Sequence, residues 1–256
     1  MRPVSVLSRV GATFIPGLVG NVTLTRQAGT ATAYWLTNES TPTTESNQTF
    51  AQIALSPKTV AAYTEISHQL HKQTAGVAER VVRRDLMRVV EVARDAAALG
   101  GSGTSGQPQG IVGYGSVGSF AGASVAWADV LNAQVDVLTA NAIGDGSSFA
   151  YVTTPAGAEI LAKRQGFSTT APIWNGPLWS GTVAGSRAFS TTSCPAATIV
   201  AGNWSELLVG EWGSGIEVRV SNTANFQAGT IGVVAFDTCD FALADPGAFS
   251  VATSVS

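Results

Sequence analysis

Residues 74–99 carry an amphipathic run longer than an ordinary globular helix, and any fold for this chain has to house it. Val77, Val81, Leu86, Val89, Val90, Ala93 and Ala97 recur at helical spacing. The other face holds Glu79, Arg80, Arg83, Arg84, Arg88, Glu91, Arg94 and Asp95. At 1.5 Å per residue the run spans about 39 Å. Gly100 and Gly101 follow it and are expected to stop the helix with a left-handed residue. Such an element serves as the backbone of its subunit.

The chain divides around this helix by changes of pattern. Residues 1–25 mix Val, Leu, Gly and Pro without a period, which predicts an arm lying on another surface. Residues 30–37 and 50–66 lean towards strand on either side of the polar segment 38–48, which contains Pro42. That pattern predicts a long hairpin with too few apolar residues for a core of its own, anchored on neighbours by Trp35 and Phe50. After the Gly-rich stretch 100–122, a second helix is predicted over 127–139, with Val130, Leu131, Val135 and Leu138 as its apolar face. A strand over 149–153 follows. Thr154 then caps a third helix that has Pro155 at its first position and Gly166 past its end. From residue 188 short β-runs dominate, at 198–200, 206–209, 216–221 and 230–236. The class is α+β with mixed sheet.

Charged residues make up 12% of the 256 residues and hydrophobic ones 45%, so the charge content is roughly half the usual share. Two explanations stay open at this level: buried subunit interfaces, whose centres are depleted in charge, and a compositional bias towards Ala, Gly and Thr. No apolar run approaches the ~18 residues of a spanning helix, and no membrane partner is expected. Arg9, Gly11, Pro16, Gly17 and Gly20 interrupt the N-terminal region, so no export signal is read there. A net charge of −3 argues against affinity built on covering phosphates. Cys194 and Cys239 are the only cysteines and are expected as buried free thiols.

Catalytic and cofactor motifs do not assemble from these residues. The segment GGSGTSGQPQG, residues 100–110, lacks the Gly-Lys-Ser/Thr ending of a phosphate loop and follows a helix, so it reads as a helix stop and flexible turn. His68 and His71 share a helical face, but no Cys or carboxylate pair completes a metal set. No Gly-x-Ser-x-Gly elbow supplies a nucleophile. The expectation is a protein without catalytic residues, metal or cofactor. The Arg-rich helix face is shared with acids at pairing distance, such as Glu79 with Arg83, which favours a solvated or ion-paired surface over a phosphate-facing one.

The join of VARDAAALGG (residues 92–101) to GSGTSGQPQGIV (101–112) resembles the major capsid proteins of tailed double-stranded-DNA phages. The likeness extends through PGLVGNVTLTRQ, TAYWLTNESTPTTESNQTF and LSPKTVAAYTEIS. It resumes in AYVTTPAGAEILAKR, GSRAFSTTSCP, IVAGNWSELLVGEWGSGIEVRVS and VAFDTCDFALADPGAF. The resemblance implies the Hong Kong 97 fold. Its N-terminal arm would be residues 1–25 and its extended loop 26–58. Residues 59–122 with 225–256 would form the peripheral domain with its long spine helix, and 123–224 the axial domain.

The same resemblance implies a shell subunit that assembles with itself into pentamers and hexamers in the host cytoplasm. Its further partners would be portal, scaffolding and decoration proteins and packaged double-stranded DNA, contacted without sequence preference. Assembly contacts are expected at Trp35 and Phe50 and at Arg80, Arg83 and Arg84. Family members usually begin with a scaffolding segment, and nothing here resembles one. Some relatives join a lysine of the extended loop to an asparagine of a neighbour. The lysines here are Lys58, Lys72 and Lys163, none of them between residues 26 and 57, so no covalent join is expected. A cargo-storing bacterial compartment shares the implied fold, and a soluble hydrolase or binding protein is the rival from another class.

Overall fold

The computed structural model describes residues 5–35, 45–143, 148–166, 171–213, 215–225, 227 and 229–256. Helices α1 (Leu7–Val10), α2 (His68–Gln73), α3 (Val77–Gly100), α4 (Trp127–Thr139) and α5 (Pro155–Lys163) are combined with two main sheets and a separate two-stranded ladder. The five-stranded sheet holds β1 (Thr13–Leu18), β4 (Lys58–Ser67), β11 (Leu207–Trp212), β12 (Glu217–Asn225) and β13 (Thr230–Leu243). The seven-stranded sheet runs β5 (Gly118–Ser119), β14 (Phe249–Ala252), β10 (Ile199–Asn203), β6 (Phe149–Thr153), β9 (Ser186–Ser190), β8 (Ser180–Val183) and β7 (Trp174–Asn175). The ladder joins β2 (Val22–Gly29) to β3 (Thr49–Leu55).

Helix α3 lies on the five-stranded sheet because both surfaces alternate correctly. Along β4 every second residue turns inward, and Ile66, Val60 and Ala62 meet Leu86, Val90 and Val82 of the helix, with Val233 and Ala235 of β13 beside them. β13 is the strand that organises this sheet. One edge pairs with β4 from Thr230 to Cys239, and the other pairs first with β12 and then with β11. β6 and β10 are buried throughout, because α4 and α5 cover one face of their sheet and the second core covers the other. That second core joins the two sheets. It takes in Ala97, Ala98 and Leu99 at the end of α3, Trp204, Phe241 and Phe249.

Several expectations are corrected. The hairpin's first strand is Val22–Gly29, residues 30–35 carry no strand beyond it, and the run 50–66 splits at Pro57 into β3 and β4, which belong to different sheets. A proline has no N–H to donate to a ladder, so the strand changes partner there. Residues 36–44, most of the expected polar tip, lie outside the described residues. Part of the expected arm packs on its own chain: Val6, Leu7 and Val10 are almost wholly buried, and β1 runs parallel to β11. Sheet membership also differs from the expected division at 123–224. Residues 207–225 sit in the sheet under α3, and Phe249–Ala252 in the seven-stranded sheet.

The glycines after α3 are needed for a different reason than expected. Gly101 is extended, with φ −60° and ψ 143°, so no left-handed residue ends the helix there. Instead the loop folds back tightly: Gly101 N–H donates to Ala97 O at 2.9 Å and Gly110 N–H to Gly101 O at 3.0 Å. A Cβ on Gly101 would lie 2.2 Å from Pro108 O, and one on Gly110 would lie 2.3 Å from Gly101 N. The stretch is a closed, hydrogen-bonded turn. We expect Gly101→Ala to cost the unassembled subunit about 3 kcal/mol, read as a lower urea midpoint at unchanged slope.

Candidate assembly surfaces

The β2–β3 ladder and the chain between its strands carry large exposed apolar groups. Of its described residues only Leu55 is buried, and a two-stranded hairpin cannot hold itself together on so little burial. Its base is fixed to the subunit by polar contacts. Trp212 Nε1 donates to Gly20 O at 2.7 Å, Ser56 N–H to Asp240 Oδ2 at 2.9 Å, and Lys58 Nζ pairs with Asp240 Oδ1 at 3.0 Å. Beyond that base Phe50 is 65% exposed and Trp35 is fully exposed, while Tyr34 is half-exposed. Large rings left in water at this end of the ladder make it a candidate contact surface.

Helix α4 has two apolar stripes where the sequence predicted one. Val130, Ala133 and Val137 face the seven-stranded sheet, whereas Leu131, Val135 and Leu138 point outward and are 36%, 54% and 56% exposed. The expected face therefore mixed both stripes. The turn between β7 and β8 adds Leu178 and Trp179, which the sequence reading missed; a Trp in a Gly- and Pro-containing turn, as in NGPLWSG, was the available signal.

The three arginines singled out on α3 have different surroundings. Arg83 is engaged by Glu79, with its Nε at 2.8 Å and its Nη2 at 2.6 Å from Glu79 Oε1. Arg80 and Arg84 are exposed and have no hydrogen bond or ion pair among the described residues. Arg88, left out of the expected set, is exposed in the same way. Further along, Arg94 is buried and bridges Glu211 of β11 (2.8 Å) and Asp237 of β13 (3.5 Å), with its guanidinium 5.6 Å from the Phe14 ring. Desolvation holds the Asp237 carboxyl above its usual range, against the pull of Arg94.

A groove of about 360 Å3 runs between β4, α3 and the 105–108 turn, lined in part by Lys58, Arg94 and Cys239. Both cations there are already paired with carboxylates of their own subunit. His71 meets Glu79 at 3.7 Å, and among the described residues no group of three or more His, Cys, Asp or Glu could hold a metal. Among the described residues no helix is long and apolar enough to cross a membrane.

Comparison with known proteins places this geometry. The model of the phage capsid family matches residues 1–254. A protein called major capsid protein from Halomonas phage phiHAP-1 is 28% identical over 251 residues, 97% of this chain but 40% of the relative. One of the same name from Klebsiella oxytoca phage phiKO2 is 32% identical over 111 residues, 43% of this chain and 26% of the relative. The chain thus spans about two fifths of the length of the first of these relatives. Among solved structures, the capsid of an empty GTA particle superposes with a TM-score of 0.77 at 17% identity, covering 100% of this chain and 91% of that one. A structure from Gordonia phage Cozz gives 0.72 at 12% identity, covering 99% and 87%.

Cys194 and Cys239 are free and buried, as the sequence implied, and burial pushes each thiol up to about 12. We expect both to resist an aromatic disulfide reagent at about pH 8 in the native protein and to react fully once it is unfolded. Rapid native labelling at either position would contradict the packing around it.

Proposed function

The chain belongs to the phage capsid family, and from that membership we propose that it is the major capsid protein of a tailed phage, a subunit that assembles into the icosahedral shell of the head. Its place is then the virion capsid. Portal, scaffolding or decoration proteins would be its other partners, and assembly would take place in the bacterial host cytoplasm. The five-stranded sheet with α3 would form the peripheral domain, and the seven-stranded sheet with α4 and α5 the axial domain.

The observation that carries this reading is the β2–β3 ladder with its exposed Phe50 and Trp35. Such a ladder is a poor investment for a solitary subunit. Laid on a neighbour it adds ring burial at each repeat, and closed symmetry sums many modest contacts into a stable shell. The outward stripe of α4 and the ring of Trp179 supply further apolar area of the same kind. The readings as a cargo-storing compartment and as a soluble enzyme are not favoured, since the relatives at the sequence level are called capsid proteins.

Electron microscopy of the purified protein tests the proposal directly, with hollow icosahedral or cap-like particles as the expected result. A monodisperse monomer at high concentration would overturn it. Replacing both Trp35 and Phe50 by Ala should leave subunit stability within about 1 kcal/mol of the parent and abolish most particle formation, measured by sedimentation.

The particles should also be held without covalent joins between subunits. Lys58 sits at the base of the ladder with its amine on the buried Asp240 of its own chain, not at a tip that reaches a neighbour. Boiling mature particles in detergent should give one gel band near 26 kDa; a ladder of reductant-resistant oligomers would refute this.

A further inference from the structure

Most of the cationic side chains among the described residues engage internal partners. The described Lys and Arg residues outside 72–88, together with Arg83, each engage a carboxylate, a carbonyl oxygen or an aromatic ring of the same chain. The rest gather in one place. Arg80, Arg84 and Arg88 are exposed on α3, and Lys72 is exposed on α2 just before it. None of the four has a hydrogen bond or ion pair among the described residues.

Spacing makes the three arginines a row. Residues four apart on a helix lie on one side, about 6 Å apart along the axis, so Arg80 to Arg88 covers about 12 Å. The acids on the same helix do little to neutralise it. Glu79 is committed to Arg83, Asp85 has a contact of its own, and the half-buried Glu91 follows one turn beyond Arg88. Like charges at this spacing disfavour the helix. A row of three is therefore best satisfied by a polyanion whose charges also repeat along a line. Duplex DNA carries one phosphate per 3.4 Å of axial rise on each strand, so a row of about 12 Å has several phosphates within its reach.

We propose that Arg80, Arg84 and Arg88 of α3 form a phosphate-contacting row that meets double-stranded DNA enclosed by the shell. This rests on the shell reading above. The contact carries no base specificity, because a single helix face lying on the backbone reads charge alone. It is weak for each subunit, as the overall charge of −3 requires, and gains its effect by repetition over the inner surface.

The probe is a labelled random-sequence duplex of about 30 base pairs, titrated against unassembled subunits in fluorescence anisotropy from low to moderate salt. Replacing all three arginines by Gln should reduce the slope of log affinity against log salt by about 2.7, which is three phosphate contacts at 0.9 each. The same variant should still form particles of parental diameter. Replacing all three by Lys should restore binding to within about threefold, because a point charge suffices for a phosphate, whereas a bidentate protein carboxylate would not accept the exchange. An unchanged slope in the Gln variant, or no measurable binding by the parent, overturns the proposal. So does a folded Gln variant that cannot assemble, since the row would then be a contact between subunits. Failure of the parent to form particles while it still binds the duplex through this row would refute the shell reading and leave the row standing.

Discussion

The end of α3 is the point on which the rest of the structure hangs. Within six residues it makes three different attachments. Asp95 accepts hydrogen bonds from Val6 N–H at 2.6 Å and Ser5 Oγ at 2.9 Å, which fixes the start of α1. Arg94 ties β11 to β13 through Glu211 and Asp237. Ala97, Ala98 and Leu99 enter the core shared by both sheets. Burying Asp95 costs desolvation and raises its carboxyl above the ordinary range, and the two hydrogen bonds offset part of that cost. An ion pair as buried as Arg94–Asp237 is weak evidence of stability in itself, but losing either partner would strand a charge in the core.

This arrangement separates what folds the subunit from what it offers to others. The C-terminal half of α3 is buried and specific, whereas its N-terminal half shows Val77, Val81 and the arginine row to the outside. The β2–β3 ladder is likewise held at its base by polar contacts to β11 and β13 and left bare further out. Buried attachment and exposed apolar or cationic surface thus occupy opposite ends of the same elements.

Strong local signals were legible in the sequence. The helix at Trp127–Thr139 and the strand at Phe149–Thr153 begin and end where periodicity and turn residues put them. Thr154 caps α5 through Gly157 N–H as its position before Pro155 implied. What depended on tertiary context was not legible. Helix α4 is apolar on more than one side, so only the sheet it rests on decides that Val130, and not Leu131, is buried. The hairpin register was misplaced because Thr- and aromatic-rich residues 30–37 looked more strand-like than 22–29, while Pro57 carried an underused cue for the split. On the candidate surfaces Trp35 and Phe50 are exposed. Helical spacing alone does not say which of several nearby carboxylates a guanidinium takes, so it did not separate Arg83, held by Glu79, from the exposed Arg80, Arg84 and Arg88.

The parallel pairing of β1 with β11 sets Thr13 beside Leu208 and Phe14 beside Val209. An early segment of the chain therefore gains its sheet partner only after nearly all the intervening residues exist, and β13, which completes that sheet, comes later still. Contacts so distant in sequence make folding slow and leave little native structure in a partial chain. A subunit emerging from the ribosome has its bare ladder made before the body that anchors it. The base that fixes the ladder, Asp240 and Trp212 included, is synthesised after the ladder itself, so a partial chain carries the ladder without its anchor.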